Sequence, residues 1–159
     1  MRWRYSATAG DRDAVRALVA ATGFFSREEE DIAVELVEDA LARGEASEYR
    51  FVFADAPGGA LRGYACYGPI TPGSADFDLY WIAVAPQAQR EGTGRALLAE
   101  AERLAVEEGA TAMFIDTAGR SQYAPTRAFY ERMGYCVHRV AKDFYAVGDD
   151  KVVYRKSLR

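Results

Sequence analysis

Positive charge is in short supply in this sequence. Its 20 Lys and Arg face 24 Asp and Glu, leaving a formal net charge of −4 and a pI of about 5.1. No global basic field exists to hold nucleic acid or an anionic lipid surface, so neither is an expected partner. Cysteine is scarce too. Cys66 and Cys136 both fall in apolar, strand-like stretches, which fits reduced core thiols in a cytoplasmic protein better than a disulfide framework, with a single bridge between them left open. The one histidine, His138, also lies in an apolar stretch, and reads as packed or surface-exposed. No His/Cys/Asp cluster has metal-ligand spacing, so no metal is expected. The N-terminal MRWRYSATAGDRD holds no apolar run of signal-peptide length, and no stretch approaches a membrane span. These absences give the expectation of a cytoplasmic protein. Two nucleotide-binding motifs are missing as well. There is no G-x-x-x-x-G-K-[ST], and Gly92-x-Gly94 is followed by Leu97 where a dinucleotide fingerprint needs its third glycine.

What is present is an ordinary globular composition. Half of the 159 residues are hydrophobic and 28% are charged, enough for one domain, residues 1–159, with its own core. A short strand is predicted over Arg2 to Thr8. A helix follows, with Thr8 or Asp11 as N-cap, Val15, Leu18 and Val19 on one face, and a stop at Gly23. Ser26-Arg27-Glu28-Glu29 is a capping box that launches a second helix, with Ile32, Leu36, Ala40 and Leu41 at helical spacing and Gly44 at its end. Strands over Tyr49 to Ala54 and Leu61 to Tyr67 flank a turn at Asp55-Ala56-Pro57-Gly58-Gly59. The central strand from Phe77, a helix closed by Gly109, and a strand over Thr111 to Thr117 come next. A strand–helix–strand run of this kind makes the two strands parallel neighbours. Pro125 opens a short helix, Thr126 to Met133, closed by Gly134. Two last strands, Tyr135 to Phe144 and Lys151 to Ser157, complete a mixed α/β fold with about seven strands and four helices.

The stretch Phe77 to Ala105 organises the rest. A buried strand runs through Ile82, Ala83 and Val84 into Gln89-Arg90-Glu91-Gly92-Thr93-Gly94-Arg95 and then an amphipathic helix. Such a turn aims free backbone N–H groups and the positive end of a helix dipole at one point, which suits a phosphate. Gly92 and Gly94 carry no side chains to hold an anion off the backbone, while Arg90 and Arg95 add positive charge. On spacing alone, a plain sharp turn into a helix explains the same residues.

Two motifs decide between these. Gln89-x-x-Gly92-x-Gly94 after an apolar strand ending in Val84 and Pro86 resembles the Q/R-x-x-G-x-G/A motif of the GNAT superfamily of acyl-CoA-dependent N-acetyltransferases. Tyr123-Ala124-Pro125-Thr126-Arg127-Ala128-Phe129-Tyr130-Glu131-Arg132-Met133-Gly134-Tyr135 resembles its second signature, a short helix ending in F-Y-E-x-x-G-F/Y. The order of elements is also that family's, and the resemblance covers essentially the whole chain.

The resemblance implies acetyl-CoA as co-substrate. Backbone amides of Gln89, Arg90, Glu91, Gly92, Thr93, Gly94 and Arg95 would hold its pyrophosphate. The pantetheine arm would pair like an extra strand with Ile82, Ala83 and Val84 where two parallel strands splay apart, so main-chain N–H groups perform the recognition. An N–H there also stabilises the oxyanion formed on attack. Tyr130 sits at the family position of the general acid serving the coenzyme A sulfur; the alternative is a core aromatic beside Phe129. Asp76, Asp78 and Tyr80 alternate with Phe77, Leu79 and Trp81, which places the first three on one face. Asp78 falls where histone-acetylating relatives carry a glutamate base, and is one methylene shorter, which calls for a bridging water. A solvated strand residue or a partner for the substrate ammonium are the other readings. Many family members have an asparagine seven residues before the tyrosine to help hold the cofactor. Here that residue is Tyr123, which would stack on pantetheine or acceptor or cap the helix.

The acceptor is expected to be an amine, on a small molecule or a protein. The acidic run Glu28-Glu29-Glu30-Asp31, with Glu35, Glu38 and Asp39, either attracts it or is a solvated helix face. The resemblance admits a homodimer through the C-terminal strands. A binding module that senses acyl-CoA without turnover is the competing function.

Overall fold

The computed structural model describes every residue from Met1 to Arg159. Its strands are β1 (Arg2–Arg4), β2 (Arg50–Asp55), β3 (Leu61–Pro69), β4 (Asp76–Val84), β5 (Ala112–Ala118), β6 (Cys136–Ala146) and β7 (Asp149–Ser157). Its helices are α1 (Asp11–Ala21), α2 (Arg27–Arg43), α3 (Thr93–Glu107) and α4 (Ala124–Arg132). The seven strands form one mixed sheet in the order β1-β2-β3-β4-β5-β7-β6, as the sequence predicts in number and class. Every neighbouring pair is antiparallel except β4 and β5.

Two apolar clusters lie on opposite faces of the sheet. One takes Leu97, Leu98, Ala101 and Ala105 from α3 and Tyr130 from α4 against Phe77, Leu79, Met113, Ile115 and Tyr154. The other takes Val15, Leu18 and Val19 from α1 and Ala33 and Val37 from α2 against Phe51, Phe53, Tyr64 and Cys66. Burying a Leu or Val side chain of this kind stabilises the fold by about 1.5–3 kcal/mol. Leu97 and Leu98 are wholly buried, so Leu97→Ala alone would cost about 2–5 kcal/mol.

Helix α2 starts where the capping box predicts. The Glu29 N–H donates to Ser26 Oγ at 3.1 Å, and the Ser26 N–H donates to Glu29 Oε1 at 2.9 Å. Its buried face differs from the expected one. Ala33, Val34 and Val37 are buried, Leu36, Ala40 and Leu41 pack at the margin, and Ile32 is 48% exposed. Small residues form the buried face because α2 packs mainly on α1, and Ile32 falls on the far side.

Helix α1 is capped neither by Thr8 nor by Asp11. Gly10 holds the N-cap position without a side-chain bond, and Asp11 is the first helical residue. Its carboxylate reaches back to the Thr8 N–H (2.7 Å) and to Arg4 (2.9 Å). Arg4 also donates to Asp55 at 2.5 Å, so this one guanidinium ties β1, β2 and α1 together and draws the chain off the sheet after Arg4. That is why β1 stops short of Thr8.

At the other edge, β6 begins at Cys136 because the Tyr135 N–H still closes α4 through Tyr130 O at 3.0 Å. No helix covers β6, and all but one of its residues are exposed. Both cysteines are free; Cys66 is a core thiol as expected, but Cys136 is on the surface. No helix is long and apolar enough to cross a membrane.

Candidate active site

Strands β4 and β5 are paired only from Asp76 opposite Ala112 to Leu79 opposite Ile115. Both strands continue, to Val84 and Ala118, with no partner on the side facing the other. The opening begins at a β-bulge. Trp81 pairs with Cys66 and Leu79 with Tyr67, leaving Tyr80 as the extra residue. A bulge bends its strand and breaks the two-residue period. Leu79 and Ile82 therefore join the α3/α4 face, Tyr80, Trp81 and Ala83 join the α1/α2 face, and Val84 at the strand end packs against both. Trp81 thus shares the face of Tyr80 instead of alternating with it, a correction to the simple strand pattern.

The glycine turn lies just past the open end of β4. Gly92 is the N-cap of α3 with φ 82°, and Arg90 has φ 67°, both in the left-handed region. For Arg90 that conformation is uncommon and strained. The N–H groups of Arg90, Glu91, Gly92, Thr93, Gly94 and Arg95 donate to no backbone acceptor; the first helical bond is from Ala96 to Gly92 O at 3.0 Å. Six free donors at the positive end of a 15-residue helix form an anion nest. Gln89 departs from this set. Its N–H donates to Pro86 O at 3.3 Å, and its side chain braces the Val84 carbonyl at 3.2 Å. Glu91 would repel an anion, but its carboxylate is paired with Arg62. Gly94 sits close to Val84 and Phe129, where a Cβ would make ordinary contact at 3.5–3.7 Å.

Tyr130 lies in the α3/α4-side core with Leu79 and Ile115, 6% exposed, with Phe129 at 5.5 Å and Tyr135 and Tyr154 each at 6.2 Å between ring centroids. Those two neighbouring tyrosines donate to Glu102 (2.7 Å) and Glu131 (2.8 Å). The Tyr130 hydroxyl has no partner in the chain, yet it is not one of the three side-chain groups sealed off without one, namely Arg62 Nε, Tyr64 Oη and Trp81 Nε1. Burial raises its pKa, so the phenol stays protonated and can only give a proton near neutral pH.

Asp78 lies on the opposite, α1/α2 face of β4, since Phe77 and Leu79 point into the α3/α4 core. It is half-buried, and its carboxyl is pushed up to about 6 by burial first and by the Asp116 charge second, with Lys151 pulling the other way. Asp116 itself is paired with Lys151 at 3.3 Å. Asp78 has neither ion pair nor hydrogen bond of its own. Tyr80 is committed elsewhere, its hydroxyl donating to Pro69 O at 3.1 Å. His138 is exposed beside Phe114, 5.4 Å away, and gathers no catalytic partner. No cluster of three or more His, Cys, Asp or Glu side chains forms a metal-binding arrangement.

Tyr123 precedes α4 without a side-chain cap bond. Its ring meets Phe24 at 4.7 Å and lies 4.8 Å under the Arg120 guanidinium, which pairs with Asp149 at 2.7 Å. Phe25 meets Trp81 at 4.9 Å. Sequence reasoning singled out neither this pair of phenylalanines nor the Asp116–Lys151 pair. The Phe24-Phe25 doublet in a loop otherwise made of glycine and polar residues was the available signal. Arg127 was passed over as well. It donates to Ala118 O (2.7 Å) and Arg120 O (3.0 Å), fixing the segment that leaves β5.

Comparison with known proteins follows the same lines. Residues 13–135 match the family model described as Acetyltransferase (GNAT) family. The uncharacterized N-acetyltransferase YuaI of Bacillus subtilis (strain 168) is 33% identical over 91 residues, 56% of this chain and 50% of that protein, so the match spans about half the length of this curated relative. A solved structure from Desulfovibrio desulfuricans, assigned to the acetyltransferases of the GNAT family, is 46% identical over 99% of both chains with a TM-score of 0.96. An aminoglycoside 6'-N-acetyltransferase complexed with coenzyme A is 18% identical over 98% of this chain and 97% of that one, with a TM-score of 0.76, a likeness of fold.

Proposed function

The chain belongs to the GNAT acetyltransferase family, and from that premise we propose that it moves an acetyl group from acetyl-CoA to the nitrogen of a primary amine by direct attack on the thioester. The observation that carries this reading is the set of six unpartnered N–H groups at Arg90 to Arg95, placed at the end of the gap between β4 and β5. The nest takes the pyrophosphate, with the unpaired Arg90 and Arg95 beside it. The free edge of β4 at Ile82, Ala83 and Val84 takes the pantetheine amides as an added strand would.

An amine with a pKa near 10 arrives protonated. Asp78, directly or through one water, accepts a proton from the ammonium; the nitrogen lone pair then attacks the thioester carbon. A β4 backbone N–H facing the gap holds the oxyanion. As the C–S bond breaks, the electron pair leaves on sulfur and Tyr130 supplies the proton that makes it a thiol. The nitrogen gives up its second proton to solvent as the amide forms, Asp78 passes its own proton to solvent, and Tyr130 is reprotonated from solvent, so the products are an N-substituted acetamide, free coenzyme A and one released proton.

Amine-dependent release of thiol from acetyl-CoA tests the proposal. Release that requires both substrates supports it. Saturable coenzyme A binding with no release across a broad amine panel favours an acyl-CoA sensor instead.

A further inference from the structure

Four aromatic rings form an unbroken line on the α1/α2 side of the strand gap. Trp81 packs on Phe25 at 4.9 Å between centroids, Phe25 on Phe24 at 5.8 Å, and Phe24 on Tyr123 at 4.7 Å. The ends of this line belong to opposite lips of the gap. Trp81 is on β4 two residues beyond Leu79, the last residue paired with β5, and Tyr123 lies in the segment that follows β5. The two phenylalanines come from the loop joining α1 to α2 and cross between them. All four residues are only partly buried, although the Trp81 indole N–H is itself shut off from solvent.

Part of the negative charge beside this line is already engaged. Asp116 is matched by Lys151 at 3.3 Å. On α2, Glu29 accepts from the Ser26 N–H at 2.9 Å, Asp31 pairs with Arg16 at 2.7 Å, and Asp39 accepts from Ser47 at 2.6 Å. Asp78, on the same sheet face as Trp81, has no such partner, and Asp76 two residues earlier on that face adds to its negative charge. A free carboxylate on the same face as a run of aromatic rings complements an ammonium on a flat apolar body.

We propose that the acceptor is a primary amine carried on an aromatic or flat apolar body, with its nitrogen at Asp78 and its body against Trp81, Phe25, Phe24 and Tyr123. This rests on the N-acetyltransferase reading above. The aromatic line supplies apolar area and ring–ring contact that an aliphatic amine of the same basicity cannot use, an advantage of about tenfold in kcat/KM.

The test is steady-state thiol release at saturating acetyl-CoA with 2-phenylethylamine, n-butylamine, spermidine and kanamycin, alongside titration of the protein with coenzyme A. The proposal expects 2-phenylethylamine to lead n-butylamine and spermidine by about tenfold or more in kcat/KM. Phe24→Ala should shrink that lead to about threefold or less through KM, with kcat and coenzyme A affinity nearly unchanged. Phe25→Leu provides a second variant, expected to shrink the lead likewise through KM. Equal rates for the two monoamines, or a preference for spermidine or kanamycin, would overturn the acceptor assignment while leaving the transfer reading intact. Coenzyme A binding with no release from any of the four amines counts against the assignment; extending the panel then decides whether the transfer reading fails with it.

Discussion

Leu79 and Ile115 are the last residues that β4 and β5 share as a pair. The extra residue Tyr80 comes immediately after, and its bulge turns β4 away from its neighbour. Asp78 lies just before that parting on the α1/α2 face and the glycine turn at its far end, while Tyr130 belongs to the core on the α3/α4 face.

Tyr130 separates catalysis from binding. Because its hydroxyl bonds to nothing in the chain, Tyr130→Phe should change stability by under about 0.5 kcal/mol. The same change should lower kcat about 100-fold and leave the Kd for coenzyme A within about twofold. Steady-state rates and calorimetry check both; an unaltered kcat removes the role.

Asp78 gives a kinetic and a thermodynamic prediction of linked sign. The kcat/KM profile should rise with pH through about 6, the value to which burial and Asp116 bring its carboxyl. In the unfolded chain the carboxyl has its ordinary value near 4. The folded protein therefore holds the proton more tightly, and the group favours folding below pH of about 4 and loses that contribution as pH rises through about 6. Asp78→Asn should abolish the kinetic limb and lower kcat, yet raise Tm at pH of about 7.5, with the gain fading towards pH of about 4. A Tm that falls at the higher pH contradicts this placement.

Arg4 stands between two buried carboxylates, Asp11 and Asp55, each 3% exposed. Arg4→Met should cost about 3 kcal/mol at neutral pH because Asp11 stays buried without an ion partner and Asp55 keeps only the exposed Arg2 at 3.4 Å. The Arg4 hydrogen bond holds the Asp55 carboxyl below its usual range, so its stabilisation is present above the unfolded value and is lost as pH falls through the folded one. Denaturant melts should accordingly show the penalty shrinking in acid.

Gly92 and Gly94 should respond differently to alanine. At Gly92 φ is 82° and the new Cβ meets no protein atom, so Gly92→Ala should cost about 1 kcal/mol of stability and push a methyl group towards the bound anion, weakening coenzyme A binding. At Gly94, where the Cβ would find ordinary contact with Val84 and Phe129, Gly94→Ala should leave Tm nearly unchanged. Thermal melts of the two variants give the comparison.

Local chemistry was legible wherever it determined the outcome alone. Ser26 and Glu29 predict the start of α2 because both halves of a capping box lie within four residues. Pro125 and Gly134 bracket α4 for similar reasons, and the glycine turn is readable because its donors are consecutive. What escaped depends on tertiary contacts. The bulge at Tyr80 has no mark in FDLYWIAV, since it is set by register against β3. The buried face of α2 is set by how it crosses α1, so the larger Ile32 was the wrong guide. Cys136 looked like a core thiol because its strand is apolar, but β6 is an edge without a helix over it. The aromatic line was hidden because its members are spread from Phe24 to Tyr123.

Titration of the purified protein with acetyl-CoA by isothermal calorimetry tests the central claim most directly. The free amides of Arg90 to Arg95 and the open edge of β4 predict a saturable heat, one site per chain, that weakens in Gly92→Ala. The absence of any saturable association with acetyl-CoA or coenzyme A would contradict it.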